Sequence, residues 1–191
     1  MLRSLLRPAL LLLTMMTVSL GLLYPLAMTG AAALLFPGAA SGSLIVRDGH
    51  LLGSNLIGQT FSDPRYFWGR PSATTPQPYN GEASGGSNLG PLNPALLETV
   101  RARAAVLRAA DPAQQEPIPV ELVTASASGL DPDISPAAAQ WQARRVAQAR
   151  GWPLEKVRAA IAAKIQPAPL GFVGEARVNV LALNLALDDL H

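Results

Sequence analysis

The sequence predicts a single N-terminal transmembrane helix followed by a mixed α+β domain, with helices laid on a small sheet. Three observations predict it. Between Arg7 and Arg47 there is no charged residue, and the densest part of that run, Pro8 to about Met28, matches the roughly 20 residues a helix needs to cross a bilayer. Beyond the run, Asn93-Pro94 and Ser135-Pro136 each join a capping side chain to a proline suited to the first helical turn, ahead of apolar residues at helical spacing. Near the end, Leu181, Leu183, Leu185 and Leu187 recur with period two inside Val178–Leu187, the pattern of a half-buried strand.

The anchor comes first. Arg3 and Arg7 flank the apolar run on one side only, and positive flanks stay in the cytoplasm. Residues 1–7 are therefore expected inside, residues 8–30 in the membrane and residues 31–191 on the far side. A cleaved secretory leader is the rival reading, since small residues lie between Ala27 and Ala33. Leader cores are usually roughly 7–15 residues long, and this run continues apolar through Phe36, which favours a retained anchor. Pro25 is tolerated in a membrane helix where neighbouring helices restore the lost hydrogen bonds. Thr14, Thr17, Ser19, Gly21 and Thr29 are residue types that let such helices pack. The run carries no Asp, Glu, Lys, Arg or His, so one such helix cannot form an ion pathway alone.

The elements that follow are short. Ser43–Val46 predicts a strand, with a turn at Asp48-Gly49. Residues 53–91 are dense in Gly, Pro, Ser and Asn and predict a long loop, which Leu56, Ile57, Phe61, Tyr66, Phe67 and Trp68 mark as ordered. A helix runs from Asn93-Pro94 to about Ala110, with Leu96, Leu97, Val100, Ala104 and Leu107 on one face. Pro119–Thr124 reads as a strand and Ser126–Asp133 as a turn. A second helix runs from Ser135-Pro136 to about Arg150, closed by Gly151. A third starts at Pro153, presents Leu154, Val157 and Ile161, and ends before Pro167. The Val178–Leu187 strand closes the domain; its Leu and Ala would also suit a helix, but the Val and Asn content favours the strand.

Composition narrows the function. The chain has 191 residues and a net charge of +2, which Arg3 and Arg7 supply, so the remainder is formally neutral. With aromatics at 5% and no basic stripe among them, a nucleic-acid partner is not expected. The absence of cysteine excludes disulfides, thiolate metal sites and a thiol nucleophile. His50 and His191 lie where neither a zinc site nor a Ser-His-Asp triad is easily assembled.

Several local patterns invite a functional reading and a structural one. Gly81–Gly90 lacks the lysine of a phosphate-cradling loop and reads as a loop whose glycines take positive φ. Ser126-Ala127-Ser128-Gly129 is half a nucleophile elbow without its first glycine, and reads as a turn. Asp131 and Asp133 lack the companions of a calcium loop; the second lies at the positive end of the following helix. Arg144, Arg145, Arg150, Lys156, Arg158 and Lys164 form two basic helices, by default a solvated face and otherwise an anion or partner surface.

Asn55-Leu-Ile-Gly-Gln59 with Phe61, Phe67-Trp-Gly-Arg-Pro-Ser-Ala73, Tyr79-Asn80, Ser84-Gly-Gly-Ser-Asn-Leu89, Thr124 through Pro136, Arg145-Val-Ala147 and Arg177-Val-Asn-Val-Leu181 together resemble the C subunits of Kdp potassium-transporting ATPases. The resemblance runs from the anchor to the last predicted strand. It implies a single-pass protein of the bacterial inner membrane with a periplasmic domain. It implies a complex with a channel-like potassium-conducting subunit, a P-type ATPase subunit and a small helical subunit, using ATP, Mg and K+. The implied role is non-catalytic: assembly of the complex and a raised ATP affinity of the ATPase subunit. The resemblance also attaches a nucleotide role to Ser128, Gly129 and Gln142, with Arg145 nearby.

The charge flanks conflict with direct ATP contact, because ATP is cytoplasmic and they place the domain outside. A clamp on the conducting subunit near its outer mouth fits that topology better. Two other classes remain open: an anchored serine hydrolase using Ser126 or Ser128, and an outer-face binding module in which Arg70, Tyr79 and Asn80 line a pocket.

Overall fold

The computed structural model describes residues 2–171 and 173–190; Met1, Phe172 and His191 lie outside the described residues. The chain divides into two compact units, Met1–Leu44 and Ile45–His191.

The first unit is helical. Helix α1 spans Leu2–Val18, a π-helical turn covers Ser19–Leu23, helix α2 spans Tyr24–Leu35 and a short α3 follows at Pro37–Ala40. Leu5–Leu35 is one continuous helix of 31 residues, long and apolar enough to cross a membrane. The π-turn answers Pro25. A proline inside a helix donates no backbone hydrogen bond, and its ring strikes the carbonyl four residues back. Here the turn widens just before it, so that the Tyr24 N–H reaches Ser19 O, five residues back. Thr14 returns its hydroxyl to Leu10 O at 2.8 Å, satisfying that donor within the helix.

The second unit is the mixed domain. Strands β1 (Leu44–Arg47) and β2 (His50–Ser54) form a hairpin over Asp48 (φ 51°) and Gly49 (φ 77°), the two positive φ values of a type I′ turn. Helix α4 (Pro94–Ala110) begins where Asn93 accepts a bond from Ala95 N. Strand β3 (Asp133–Ile134) leads into α5 (Pro136–Arg150), which Ser135 caps at Ala138 N and Gly151 closes in the left-handed conformation. Helix α6 (Leu154–Lys164), strand β4 (Ile165–Gln166), strand β5 (Arg177–Asn179) and helix α7 (Val180–Asp188) complete the chain. The three short strands lie in the order β3-β5-β4, antiparallel, with Ile134 and Ile165 both opposite Val178. Leu107 of α4, Val146 of α5, Val157 and Ile161 of α6, Val178 of β5 and Leu183 and Leu187 of α7 bury their side chains in one core with Phe67.

Two predicted strands are not strands. Pro119–Thr124 contains a 3-10 turn at Val120–Leu122, in which Val123 N and Thr124 N both return to Val120 O. Leu122 and Val123 are both buried, so the two-residue alternation a strand needs is missing. In Val178–Leu187 only Val178 and Asn179 are extended, and the rest is α7. The leucine period misleads because it puts Asn184 on the opposite, wet face, whereas Asn184 is 1% exposed. With Asn184 inside, the buried set Val180, Leu181, Leu183, Asn184 and Leu187 has helical spacing. Asn179 caps the helix through Ala182 N at 2.9 Å, and the Leu and Ala that follow favour it.

Candidate functional site

The long Pro/Gly-rich segment is the feature around which the distinctive residues gather. Between β2 and α4 its backbone has no ladder to join, yet Phe67 is fully buried and Trp68 nearly so. Buried N–H and C=O groups must find partners. Two side-chain amides provide them. Asn184 Oδ1 accepts from Phe67 N at 2.8 Å and its Nδ2 donates to Phe67 O at 3.0 Å. Gln142 Oε1 accepts from Trp68 N at 2.9 Å and its Nε2 donates to Trp68 O at 3.0 Å.

Arg145 reinforces the same stretch. Its Nη1 donates to Pro64 O at 2.7 Å and Tyr66 O at 3.0 Å, its Nη2 donates to Gln142 Oε1 at 2.7 Å, and its guanidinium lies 4.1 Å from the centre of the Trp68 ring. It is 3% exposed. Burial lowers its pKa to about 10. Next to it, Arg150 donates to Arg65 O and pairs with Asp188, whose other oxygen accepts the Tyr66 hydroxyl at 3.0 Å. Burial, then that hydrogen bond, raises the Tyr66 pKa.

Ser128 and Gly129 hold the other end of the segment. Ser126 Oγ accepts from Gly129 N, and Ser128 Oγ accepts from Leu130 N, as in a tight turn. Ser128 O accepts from Gly85 N at 2.8 Å and from Ser84 Oγ at 3.1 Å; Gly129 O accepts from Ser72 Oγ at 2.7 Å. Thus Gln142 and Arg145 meet directly, Ser128 and Gly129 are neighbours, and the segment from Pro64 to Gly85 joins the two pairs. The glycines from Gly81 to Gly90 do not take positive φ; Tyr79 (57°) and Asn88 (52°) do. Gly86 instead permits close approach, since a Cβ there would sit 3.0 Å from Ala127 O. Gly58 has the same use: its N–H donates to Leu130 O, and a Cβ would meet the Tyr79 ring and lie 2.8 Å from Asp131 O.

The remaining candidates are mostly engaged inside the domain. Asp131 pairs with Arg70 at 3.1 Å and accepts from Asp133 N; Asp133 pairs with Arg177 and accepts from Asn179 Nδ2. Burial raises the Asp133 pKa, and the Asn179 bond opposes this. Arg144 makes two bonds to Asp111, which is 3% exposed. Arg158 pairs with Glu155 on the surface. The basic helices are therefore not a uniform solvated face. Arg70 and Tyr79 do line a cleft, but Asn80 turns back to Thr74 Oγ1 and Thr75 O. Ser126 and Ser128 hydroxyls meet backbone amides and each other. His50 is exposed, and His191 lies outside the described residues.

Sequence reasoning missed Asn184, Arg103 and Asp111. For Asn184 a signal existed: a lone amide interrupts an apolar run whose helical spacing places it among leucines.

The family model described as "K+-transporting ATPase, c chain" matches residues 6–189. A "Potassium-transporting ATPase KdpC subunit" of Polaromonas naphthalenivorans (strain CJ2) is 64% identical over 188 residues, covering 98% of this chain and 96% of the relative. Proteins of the same description from Variovorax paradoxus (strain S110), 63% identical over 97% of this chain and 96% of the relative, and Sorangium cellulosum (strain So ce56), 60% identical over 96% of each, align equally fully.

Proposed function

This chain belongs to the KdpC family, the c chains of K+-transporting ATPases, and is thus an accessory subunit of a potassium-transport complex; on that premise we propose that it serves the complex as a membrane-anchored assembly element with no chemistry of its own. In this reading residues 1–7 are cytoplasmic, the apolar helix lies in the inner membrane and the mixed domain is periplasmic. The partners are the potassium-conducting, ATP-hydrolysing and small helical subunits. Mg-ATP is bound by the ATP-hydrolysing subunit, and this chain raises its affinity through the assembled complex without touching the nucleotide.

The observation that carries this reading is the use made of the distinctive residues. Gln142, Arg145, Ser128 and Gly129 direct polar groups to residues 64–85 and to one another, so they brace that segment from within the domain. The family-implied nucleotide role then belongs to these residues as a framework.

The test is co-purification. Tagged full-length chain, extracted in mild detergent, is expected to bring down the other three subunits with potassium-stimulated ATPase activity; residues 1–44 alone are expected to bring down less. A photoreactive ATP analogue should label the ATP-hydrolysing subunit and spare this chain. Protease added to intact spheroplasts should digest the mixed domain. Labelling of this chain, or a domain protected until lysis, would overturn the arrangement.

A further inference from the structure

A cleft of about 200 Å³ opens on the mixed domain between Arg70, Arg103, Tyr79, Ser72, Gln59 and Thr60. Two arginines line it and no carboxylate does. Arg70 is balanced from one side only. Its Nη1 pairs with Asp131 and its Nη2 reaches Ala125 O at 3.3 Å, but its Nε is buried with no partner. Arg103 is less provided for. It is half-buried in α4, and among the described residues it makes no ion pair and one long bond, from Nε to Leu122 O at 3.4 Å. Burial lowers its pKa, the sign of a charge removed from water without compensation.

Elsewhere in this domain the buried and half-buried guanidinium groups have partners for their terminal nitrogens: Arg144 has Asp111, Arg150 has Asp188, and Arg145 and Arg108 have carbonyl oxygens. Removing a cation from water is costly unless an opposite charge meets it. The hydroxyls beside Arg103 do not help. Tyr79 donates to Arg70 O, and Ser72 donates to Gly129 O. The cleft therefore presents positive charge from two sides, with the terminal nitrogens of Arg103 unspent among the described residues. We infer that this cleft is a binding site for a phosphate group, held between Arg103 and Arg70. Guanidinium groups suit phosphate because their planar donor sets match its oxygens. The phosphate has two conceivable sources, free inorganic phosphate and the phosphodiester of an anionic lipid headgroup. The phosphate site depends on Arg103 and Arg70 and not on Gln142, Arg145, Ser128 or Gly129, so either reading can fail without the other, although Ser72 at its edge donates to Gly129 O.

The experiment is thermal unfolding of the full-length chain in neutral detergent near neutral pH, with sodium phosphate replacing sodium chloride at constant ionic strength. A saturable rise in Tm is expected, as for any ligand that binds only the folded state. Arg103→Gln should shift the half-saturating phosphate concentration roughly tenfold or more upward, the loss of a charge-assisted contact, and Arg103→Lys should retain part of the response. Because Arg103 makes one weak bond, the Tm of Arg103→Gln in chloride should stay near that of the parent. Should it not, broadening of the phosphate resonance by the unmodified chain in phosphorus NMR, reversed by excess sulfate, provides the same readout. Nanodiscs separate the sources. If phosphatidylglycerol raises Tm over phosphatidylcholine and blunts the response to added phosphate, the headgroup occupies the cleft; an equal response in both lipids indicates the free anion. No saturable response in detergent and no phosphatidylglycerol effect, or a response unchanged in Arg103→Gln, would overturn the site.

Discussion

Asn184 lies against the backbone of Phe67 as a neighbouring strand would, accepting from its N–H at 2.8 Å and donating to its C=O at 3.0 Å. Gln142 does the same for Trp68, so two helices, α7 and α5, each give one side-chain amide to consecutive residues of a segment with no strand of its own. An amide is suited to this because it is donor and acceptor at once. The arrangement lets an irregular chain pass through the core with its peptide groups satisfied.

Asn184→Leu should therefore be costly although it keeps the branched shape of the side chain and removes both polar atoms of the amide from the core. It strands the Phe67 N–H and C=O in a buried place, and two unsatisfied groups cost about 2–6 kcal/mol together. Urea unfolding of the full-length chain is expected to show that loss as a lower midpoint. Protease sensitivity between Pro64 and Ser72 should rise at urea concentrations below the midpoint. An unchanged midpoint would mean that the segment finds other partners.

What the sequence made legible follows from the range of each interaction. The starts of α4 and α5 were readable because their caps are local: Asn93 reaches Ala95 and Ser135 reaches Ala138. The Asp48-Gly49 turn was readable for the same reason. The start of α7 was not, although Asn179 caps it just as locally, because a leucine period of two fits a strand and, once Asn184 is known to be buried, a helix. The motifs around Trp68, Ser128 and Arg145 were visible as a resemblance, but their contacts were not. Gln142 and Arg145 look like polar residues on a basic helix, and only the tertiary fold brings Trp68 and Pro64 to them. The Arg103 cleft was legible only in part, since Arg70 and Tyr79 were noted and Arg103 comes from a helix far along the chain.

Alkaline pH tests the Tyr79 contact. Its hydroxyl donates to Arg70 O at 2.6 Å, and burial raises its pKa above the ordinary tyrosine value. The folded form therefore keeps a proton that the unfolded chain releases at about pH 10. Its stabilising contribution is complete below that pH and is lost as pH rises through the folded value. Near neutrality Tyr79→Phe should cost about 1 kcal/mol for the lost hydrogen bond. Above about pH 10 the gap between parent and variant should narrow, since only the parent must ionise this group. Urea unfolding at stepped alkaline pH measures it, and a constant gap would show that the hydroxyl ionises equally in both states.

Gly129 and Gly151 make a matched pair. Both take left-handed backbone, φ 67° and 65°, so alanine at either meets the left-handed penalty of about 1–2 kcal/mol. Only Gly129 is also crowded: a Cβ there would lie 2.6 Å from Gly85 O and 2.7 Å from Thr74 Cγ2, whereas at Gly151 nothing lies within 4 Å. Gly129→Ala must therefore push residues 84–86 off the 126–129 turn, and it should cost at least about 1 kcal/mol more than Gly151→Ala. Amide exchange at Gly85, whose N–H donates to Ser128 O at 2.8 Å, should quicken in Gly129→Ala and stay unchanged in Gly151→Ala. Equal costs with unaltered Gly85 exchange would mean that the two loops do not depend on close contact at Gly129, and the Ser-Gly turn would lose its part in ordering the segment.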